Sequence, residues 1–276
     1  MEPNADQIAY WNGPVGEHWK LEQAAIDRAF ASFTEKLREV AALRPGHRVL
    51  DVGCGCGTTT LFAADAVGAG GSVTGVDVSV PMVARATERS AGRANVSYFV
   101  ADAAAIRFDG AFDVEISRFG VMFFEDPVRA FANLRSALRP GGRLAFVCWR
   151  PGADNEWVRV PSEVALQHVP PLPPVGPEQP GPFSFGDPAR VRRILEGAGF
   201  SRVDIVPFDA DVVISEEGVE AAADFVMKTG PTAALLREVT GDVVERVRPA
   251  LEARLRPFTR NGRTALGGAN WVVSAG

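Results

Sequence analysis

Cysteine is scarce in this chain, and its placement argues against a disulfide framework. Only three occur among 276 residues. Cys54 and Cys56 lie too close for a relaxed bridge and have no second Cys pair with which to hold zinc. They read as small fillers of a tight turn in a reducing compartment. No run approaches the ~18 apolar residues of a membrane span. Met1-Glu2-Pro3-Asn4-Ala5-Asp6 lacks the basic-then-apolar pattern of a secretion signal, so a cytoplasmic location is expected. Basic charge is also short. The 29 Lys and Arg are outnumbered by 34 Asp and Glu, for a net charge of −5, and no basic cluster stands ready to neutralise phosphates. Neither nucleic acid nor membrane is expected as a partner.

What is present suits one large α/β domain, with 46% hydrophobic and 23% charged residues. In the first 45 residues Ile26, Phe30, Phe33, Leu37 and Val40 recur at three- and four-residue steps, which predicts helix until Pro45-Gly46. The chain then alternates. Strands are expected at Arg48–Val52, Ser72–Val76, Val96–Val100, Phe112–Ile116 and Arg143–Trp149. Helices are expected at Thr59–Val67, Pro81–Ala91 and Asp126–Leu138, the last ended by Pro140-Gly141-Gly142. Such alternation predicts βαβ units around a parallel sheet.

Residues 151–188 hold ten of the 20 prolines and read as an irregular surface stretch, with Phe183 and Phe185 in need of burial. A helix at Pro188–Gly197 follows, capped by Asp187. Then come a strand at Val203–Val206, helix over 216–257 and a last strand at Asn270–Ser274. The expected organisation is a helical flap at 1–45, a ligand-binding core at 46–150, and completion of the sheet at 151–276 with insertions at 151–188 and 216–262.

The informative stretch is Val49-Leu50-Asp51-Val52-Gly53-Cys54-Gly55-Cys56-Gly57, a strand running through alternating glycines into a helix. Glycine permits the sharp turn and the close approach of a ligand, and the helix N-terminus offers free N–H groups to an anion. The dinucleotide fingerprint needs a third glycine. Thr58 stands there when counting from Gly53, and Thr60 when counting from Gly55. A smaller ligand with a carboxylate and an amine fits better. Asp77 closes the second strand, roughly 20 residues on, where a carboxylate accepts ribose hydroxyls. Asp102 closes the third, one strand further out, in reach of an adenine amino group. Either aspartate alone could be a helix cap; all three features in order at strand ends are harder to explain that way.

The run Val-Leu-Asp-Val-Gly-Cys-Gly-Cys-Gly, then Gly75-Val76-Asp77, Ala101-Asp102-Ala103 and Leu138-Arg139-Pro140-Gly141-Gly142-Arg143, resembles class I S-adenosylmethionine-dependent methyltransferases. Within them it is most similar to the ubiquinone/menaquinone C-methyltransferase branch. The resemblance implies a doubly wound, Rossmann-like sheet of seven mostly parallel strands, the last antiparallel. It implies S-adenosylmethionine as cofactor and methyl transfer to a small molecule. It also implies that Gly53, Cys54 and Gly55 line the methionine part and that Thr59 helps hold its carboxylate. Asp77 would then take the ribose, with Val78 also at the cofactor, Met82 would pack on the adenine, and Asp102 with Ala103 would read the adenine edge.

Methyl transfer needs alignment and exclusion of water more than acid–base groups. Ser117, on the cofactor side, and Arg118, Phe119 and Met122 follow the fourth strand, where the resemblance puts the transferred methyl. Arg118, directly after a buried strand, needs a partner: a substrate carboxylate, or Asp51 or another acid of the site. Tyr10, Trp11 and Trp19 read either as a flap whose faces meet the sulfonium or as a staple for the first helix. Trp149, Trp157 and His168 are candidate walls of the acceptor pocket, with Arg118 and His168 the candidate catalytic groups. No metal site is expected. Two other reactions remain open from sequence: S-adenosylmethionine-dependent chemistry without methyl transfer, such as cyclisation, and nicotinamide-dependent oxidoreduction.

Overall fold

The computed structural model describes residues 4–108, 112–174, 176, 178–237, 239 and 241–276. The expected flap, proline-rich stretch and late helical segment each contain a few positions outside that set: 1–3, then 175 and 177, then 238 and 240. Apolar strands generate the centre. β1 (Arg48–Val52), β2 (Ser72–Asp77), β3 (Val96–Val100), β4 (Phe112–Arg118) and β5 (Leu138–Trp149) pair in parallel. The sheet order is β3-β2-β1-β4-β5-β8-β6, where β6 is Val203–Ser215 and β8 is Arg263–Ala275. β8 runs antiparallel to both its neighbours, and the two-residue β7 (Thr259–Arg260) pairs with it. From β1 the chain winds outward to β3, then returns to β4 on the other side of β1. That reversal opens a crevice at the carboxyl ends of β1 and β4.

The N-terminal residues form α1 (Ala5–Asn12), α2 (Pro14–Leu21), α3 (Gln23–Ala29) and α4 (Ala31–Ala41). The periodic apolar residues behave as expected, with Ile26, Phe30, Phe33 and Leu37 fully packed. α4 lies close against the far end of the sheet because Gly268 has no side chain. A Cβ there would sit 2.9 Å from the Phe33 ring. Between the strands lie α5 (Thr58–Val67), α6 (Val80–Arg89) and α7 (Pro127–Ala137), the last capped by Asp126, which accepts from Arg129 N.

Several expectations are corrected. Residues 151–188 are not irregular throughout, since Glu156–Ala165 forms helix α8. The prolines cluster after residue 169, whereas Trp157, Val160 and Val164 recur at helical spacing and are buried. α9 (Pro188–Gly197) and its Asp187 cap are as read, with Asp187 accepting from Ala189 N. The last two large strands are far longer than Val203–Val206 and Asn270–Ser274. β6 continues through Pro207 because it is an edge strand whose one partner is β8, so a missing N–H can face outward. β5 begins at Leu138, paired with Phe112 across a bulge, rather than at Arg143. The late helical segment resolves into α10 (Val219–Lys228), α11 (Pro231–Leu235) and α12 (Gly241–Leu255).

Candidate functional site

A cavity of about 900 Å³ opens at the crevice, bounded by the glycine turn, the ends of β2 to β5, the N-terminal helices and the segment around Lys228–Arg237. Its floor is tight. Gly53, Gly55 and Gly57 all have positive φ, at 67°, 52° and 83°. A Cβ on Gly53 would lie 2.7 Å from Gly120 Cα, because the loop after β1 touches the loop after β4. One on Gly55 would meet the Met82 methyl at 2.9 Å. Cys54 and Cys56 are free thiols, and burial pushes both up, Cys56 to about 12. They are inert filler.

Asp51 is fully buried one layer behind the floor. One carboxylate oxygen accepts from the hydroxyls of Thr59 and Thr60, both at 2.6 Å, and the other has no partner. Burial pushes its carboxyl up to about 6, against the pull of those two hydroxyls. Thr59 lines the cavity, but its hydroxyl is committed to Asp51, so its side chain is not offered to a cofactor carboxylate.

Asp77, at the end of β2, accepts from Gly55 N at 2.8 Å and from Ser79 N at 2.9 Å, one bond to each oxygen. A carboxylate has about four lone-pair sites, so each oxygen keeps capacity for another donor. Burial raises its carboxyl above the ordinary range. Val78, Met82 and Ala103 line the same end, as does Asp102, which also accepts from the side-chain amide of Asn4 at 3.1 and 3.2 Å. Asn4 and Glu125 clasp each other, with Asn4 N donating to Glu125 and Glu125 N donating to Asn4, both at 2.8 Å. At the other end of α1, Asn12 bonds Val78 O and Val80 N. α1 is therefore a strap pinned at both ends across this part of the cavity, and it carries Tyr10 and Trp11 into the wall.

The opposite end holds the partner of Arg118. Its guanidinium donates to Thr34 Oγ1 at 2.7 Å and meets Asp27 at 3.4 Å. Asp27 also takes Arg89 at 3.1 Å and the Thr58 hydroxyl at 2.6 Å. The protein acid that Arg118 meets is Asp27 from α3 rather than Asp51.

Beyond it the cavity is aromatic. Trp19 packs between Trp11 and Phe30, with ring centroids at 5.6 and 6.5 Å. Phe119 stacks on Trp149 at 4.2 Å, 4° from parallel, and Trp157 lies 5.1 Å from Trp149. Met122 completes this wall. Phe119 holds a φ of 64°, which bulky residues rarely adopt.

Two sequence candidates fall outside. Ser117 is fully buried with its hydroxyl accepting from Gly120 N at 3.2 Å, closing the turn behind the wall. It does not line the cavity. His168 lies past the end of α8 and does not line the cavity, because the helix carries it away. The cavity's histidine is His18, on α2, with Nε2 3.0 Å from Thr229 Oγ1. Among the described residues no cluster fit to hold a metal is found, and no helix is long and apolar enough to cross a membrane. Asn4, His18 and Asp27 were not singled out from sequence. Each works through a contact with a residue distant along the chain, and only their place among the flap's aromatics hinted at them.

Comparison with known proteins agrees with this geometry. Residues 49–142 match a family described as "Methyltransferase domain". Nocamycin O-methyltransferase of Saccharothrix syringae is 32% identical over 214 residues, covering 73% of this chain and 75% of that protein. Aklanonic acid methyltransferase of a Streptomyces species is 32% identical over 150 residues, covering 51% and 68%. The fold is shared with phosphoethanolamine N-methyltransferase 2 of Haemonchus contortus, solved with phosphomonomethylethanolamine and S-adenosylhomocysteine. The TM-score is 0.56 at 18% identity, over 93% of this chain and 57% of that one. The chain belongs to the class I S-adenosylmethionine-dependent methyltransferases. Its cofactor is S-adenosylmethionine and its reaction is methyl transfer, which sets aside the oxidoreductase and cyclase readings.

Proposed function

We propose that the protein methylates a hydroxyl of a bulky, largely apolar small molecule. The observation that carries this reading is the division of one continuous cavity. One end presents strand-end carboxylates and the glycine turn; the other presents stacked aromatic faces. At about 900 Å³ it lies near the top of the roughly 300–1,000 Å³ span of small-ligand pockets, with room for two ligands side by side. The name of the O-methyltransferase relative, matched over three-quarters of its length, favours oxygen as acceptor over the carbon of the ubiquinone/menaquinone branch.

The residues suit the cofactor. Glycine is required at 53, where a side chain would strike the Gly120 backbone, and at 55 a side chain would press on the Met82 methyl and obstruct the approach of a ligand to the backbone. In this reading Asp77 receives the ribose hydroxyls through its remaining lone pairs, next to Val78. Met82, Asp102 and Ala103 frame the adenine, under the strap of α1. Gly53, Cys54 and Gly55 floor the methionine arm. Trp11 and Trp19 turn aromatic surface toward the sulfonium, an attraction worth about 0.5–2 kcal/mol. Arg118, held by Thr34 and Asp27, fixes the N-terminal helices to the end of β4 rather than reading substrate. Phe119, Met122, Trp149 and Trp157 form the acceptor wall and exclude water. The bound cofactor supplies an electrophilic methyl and a neutral thioether leaving group. The protein's share is to hold the acceptor oxygen in line with that methyl.

By-product analysis tests the reaction. Incubation with S-adenosylmethionine and a set of hydroxylated aromatics should release S-adenosylhomocysteine together with a product heavier by one methylene. Release of methylthioadenosine in its place would overturn methyl transfer.

A further inference from the structure

The acceptor end of the cavity contains one proton-transfer pair that the cofactor site does not use. His18 comes from α2, and Thr229 from the turn that joins α10 to α11. They meet with Nε2 3.0 Å from Oγ1, and both line the cavity. Their place is fixed by neighbours. Trp19, next to His18, touches Trp11 and Phe30, and its carbonyl lies 3.8 Å from Cys56 Sγ in the glycine turn. Gly230, next to Thr229, lies against Trp157, so that a Cβ would come within 2.9 Å of that ring. Trp157 in turn packs on Phe30 at 5.8 Å and on Trp149. The pair thus bridges the flap and the insertion at the wall of the cavity.

We propose that His18 is the catalytic base for a hydroxyl acceptor and that Thr229 relays the proton, an inference that rests on the methyltransferase reading above. The acceptor would be a planar, mostly apolar molecule with a phenolic hydroxyl, matching the flat walls made by Phe119, Trp149 and Trp157. As the acceptor oxygen bonds the methyl carbon, the carbon–sulfur bond breaks and its electron pair stays on sulfur. The hydroxyl proton passes to Thr229 Oγ1 while the Thr229 hydroxyl proton passes to His18 Nε2. One positive charge enters on sulfur and one leaves on imidazolium, so charge balances.

The surroundings suit that role. Burial lowers the His18 pKa from its ordinary 6.5, so the ring is neutral and able to take a proton at pH 7. Glu22, one turn on, favours the imidazolium once it forms, and Lys228 opposes it, which helps the proton leave afterwards. Thr229 is 4% exposed, with its backbone N–H held by Phe225 O at 2.8 Å, so its hydroxyl is fixed in place.

The test uses 2-naphthol and 1-hydroxyanthraquinone as probe acceptors, with S-adenosylhomocysteine affinity measured in parallel. The wild type should turn over at least one probe, with kcat rising through a single ionisation below pH 6.5. His18→Gln and Thr229→Val should each lose about 10²-fold or more in kcat, the usual weight of general-base catalysis. Their S-adenosylhomocysteine affinity should stay within about twofold, and His18→Gln should lose the ionisation. Thr229→Ser, which restores the hydroxyl, should recover most of the rate. Either loss variant running at a third or more of the wild-type kcat would overturn the proposal, as would persistence of the ionisation in His18→Gln. Wild type that binds S-adenosylhomocysteine but turns over neither probe overturns this inference alone, whereas failure to bind it overturns the methyltransferase reading beneath.

Discussion

The side-chain amide of Asn4 donates to both carboxylate oxygens of Asp102, at 3.1 and 3.2 Å, and so ties the start of the chain to the end of the third strand. Asp102 was expected to face an adenine edge, and it already holds a protein donor. With Ala104 N also donating to it, three of about four lone-pair sites are used. One remains for an adenine amino group. The same contact therefore both orients the carboxylate and shuts the strap over it.

Asn4→Ala should loosen that strap without harming the core. A hydrogen bond to a charged group contributes about 1.5–3 kcal/mol when sheltered. Asp102 is half-buried, so about 1 kcal/mol is expected here, or roughly a fivefold rise in the S-adenosylhomocysteine dissociation rate by stopped flow. An unchanged rate would mean that α1 does not cover the ligand.

The two floor glycines should fail differently. Gly53→Ala meets backbone at 2.7 Å and holds a φ of 67°, so nothing can yield cheaply. A stability loss of about 2–4 kcal/mol in urea unfolding is expected. Gly55→Ala meets only the flexible end of Met82. It should stay folded, with a smaller loss, yet bind S-adenosylhomocysteine at least about tenfold more weakly. Equal behaviour of the two variants would contradict the tight contact between the loops after β1 and β4.

Arg118→Met removes a buried cation and leaves Asp27 with Arg89 as its remaining ion-pair partner. Breaking such a pair costs about 3–5 kcal/mol. Arg118→Lys keeps the charge but not the fork that spans Thr34 and Asp27, for about 1–3 kcal/mol. Urea unfolding measures both. Full stability with a weakened acceptor KM would instead restore Arg118 as a reader of substrate.

Asp51 predicts a pH dependence. Its carboxyl rises from 3.8 to about 6 on folding, so between those values the native state binds more protons than the unfolded chain. Stability therefore falls as pH rises through that window and is level above it. A shift of about two units corresponds to about 3 kcal/mol. Asp51→Asn should gain on the wild type by that amount between pH 4 and 7, in unfolding curves taken at both. A constant difference across the window would place the ionisation elsewhere.

The sequence made β1 to β4 and the strand-end carboxylates of the cavity legible because strand apolarity, alternating glycines and strand-end aspartates are local patterns. Asp77, Asp102 and the glycine turn meet around one cavity as expected. What stayed hidden depends on distant partners. Nothing local to Asp27 marks it for Arg118, and nothing near Asn4 marks it for Asp102. His168 reads from sequence as an acceptor-wall residue because it sits in the proline-rich stretch, whereas in the structure it lies past the end of α8 and outside the cavity. The length of β6 and β8 was missed because Pro207 and Gly267-Gly268 look like breaks. An edge position tolerates the first, and the close approach of Phe33 requires a glycine at 268.

In the proposed function the strand-end carboxylate of Asp77 holds the cofactor's ribose. Calorimetric titration of S-adenosylhomocysteine into wild type and Asp77→Ala tests it most directly. One site per chain is expected in the wild type. The loss of two charge-assisted hydrogen bonds, at about 1.5–3 kcal/mol each, should weaken Asp77→Ala by at least about a hundredfold with its fold retained. No binding heat in the wild type would remove S-adenosylhomocysteine from this cavity, and equal dissociation constants for the two proteins would leave Asp77 without a role in holding it.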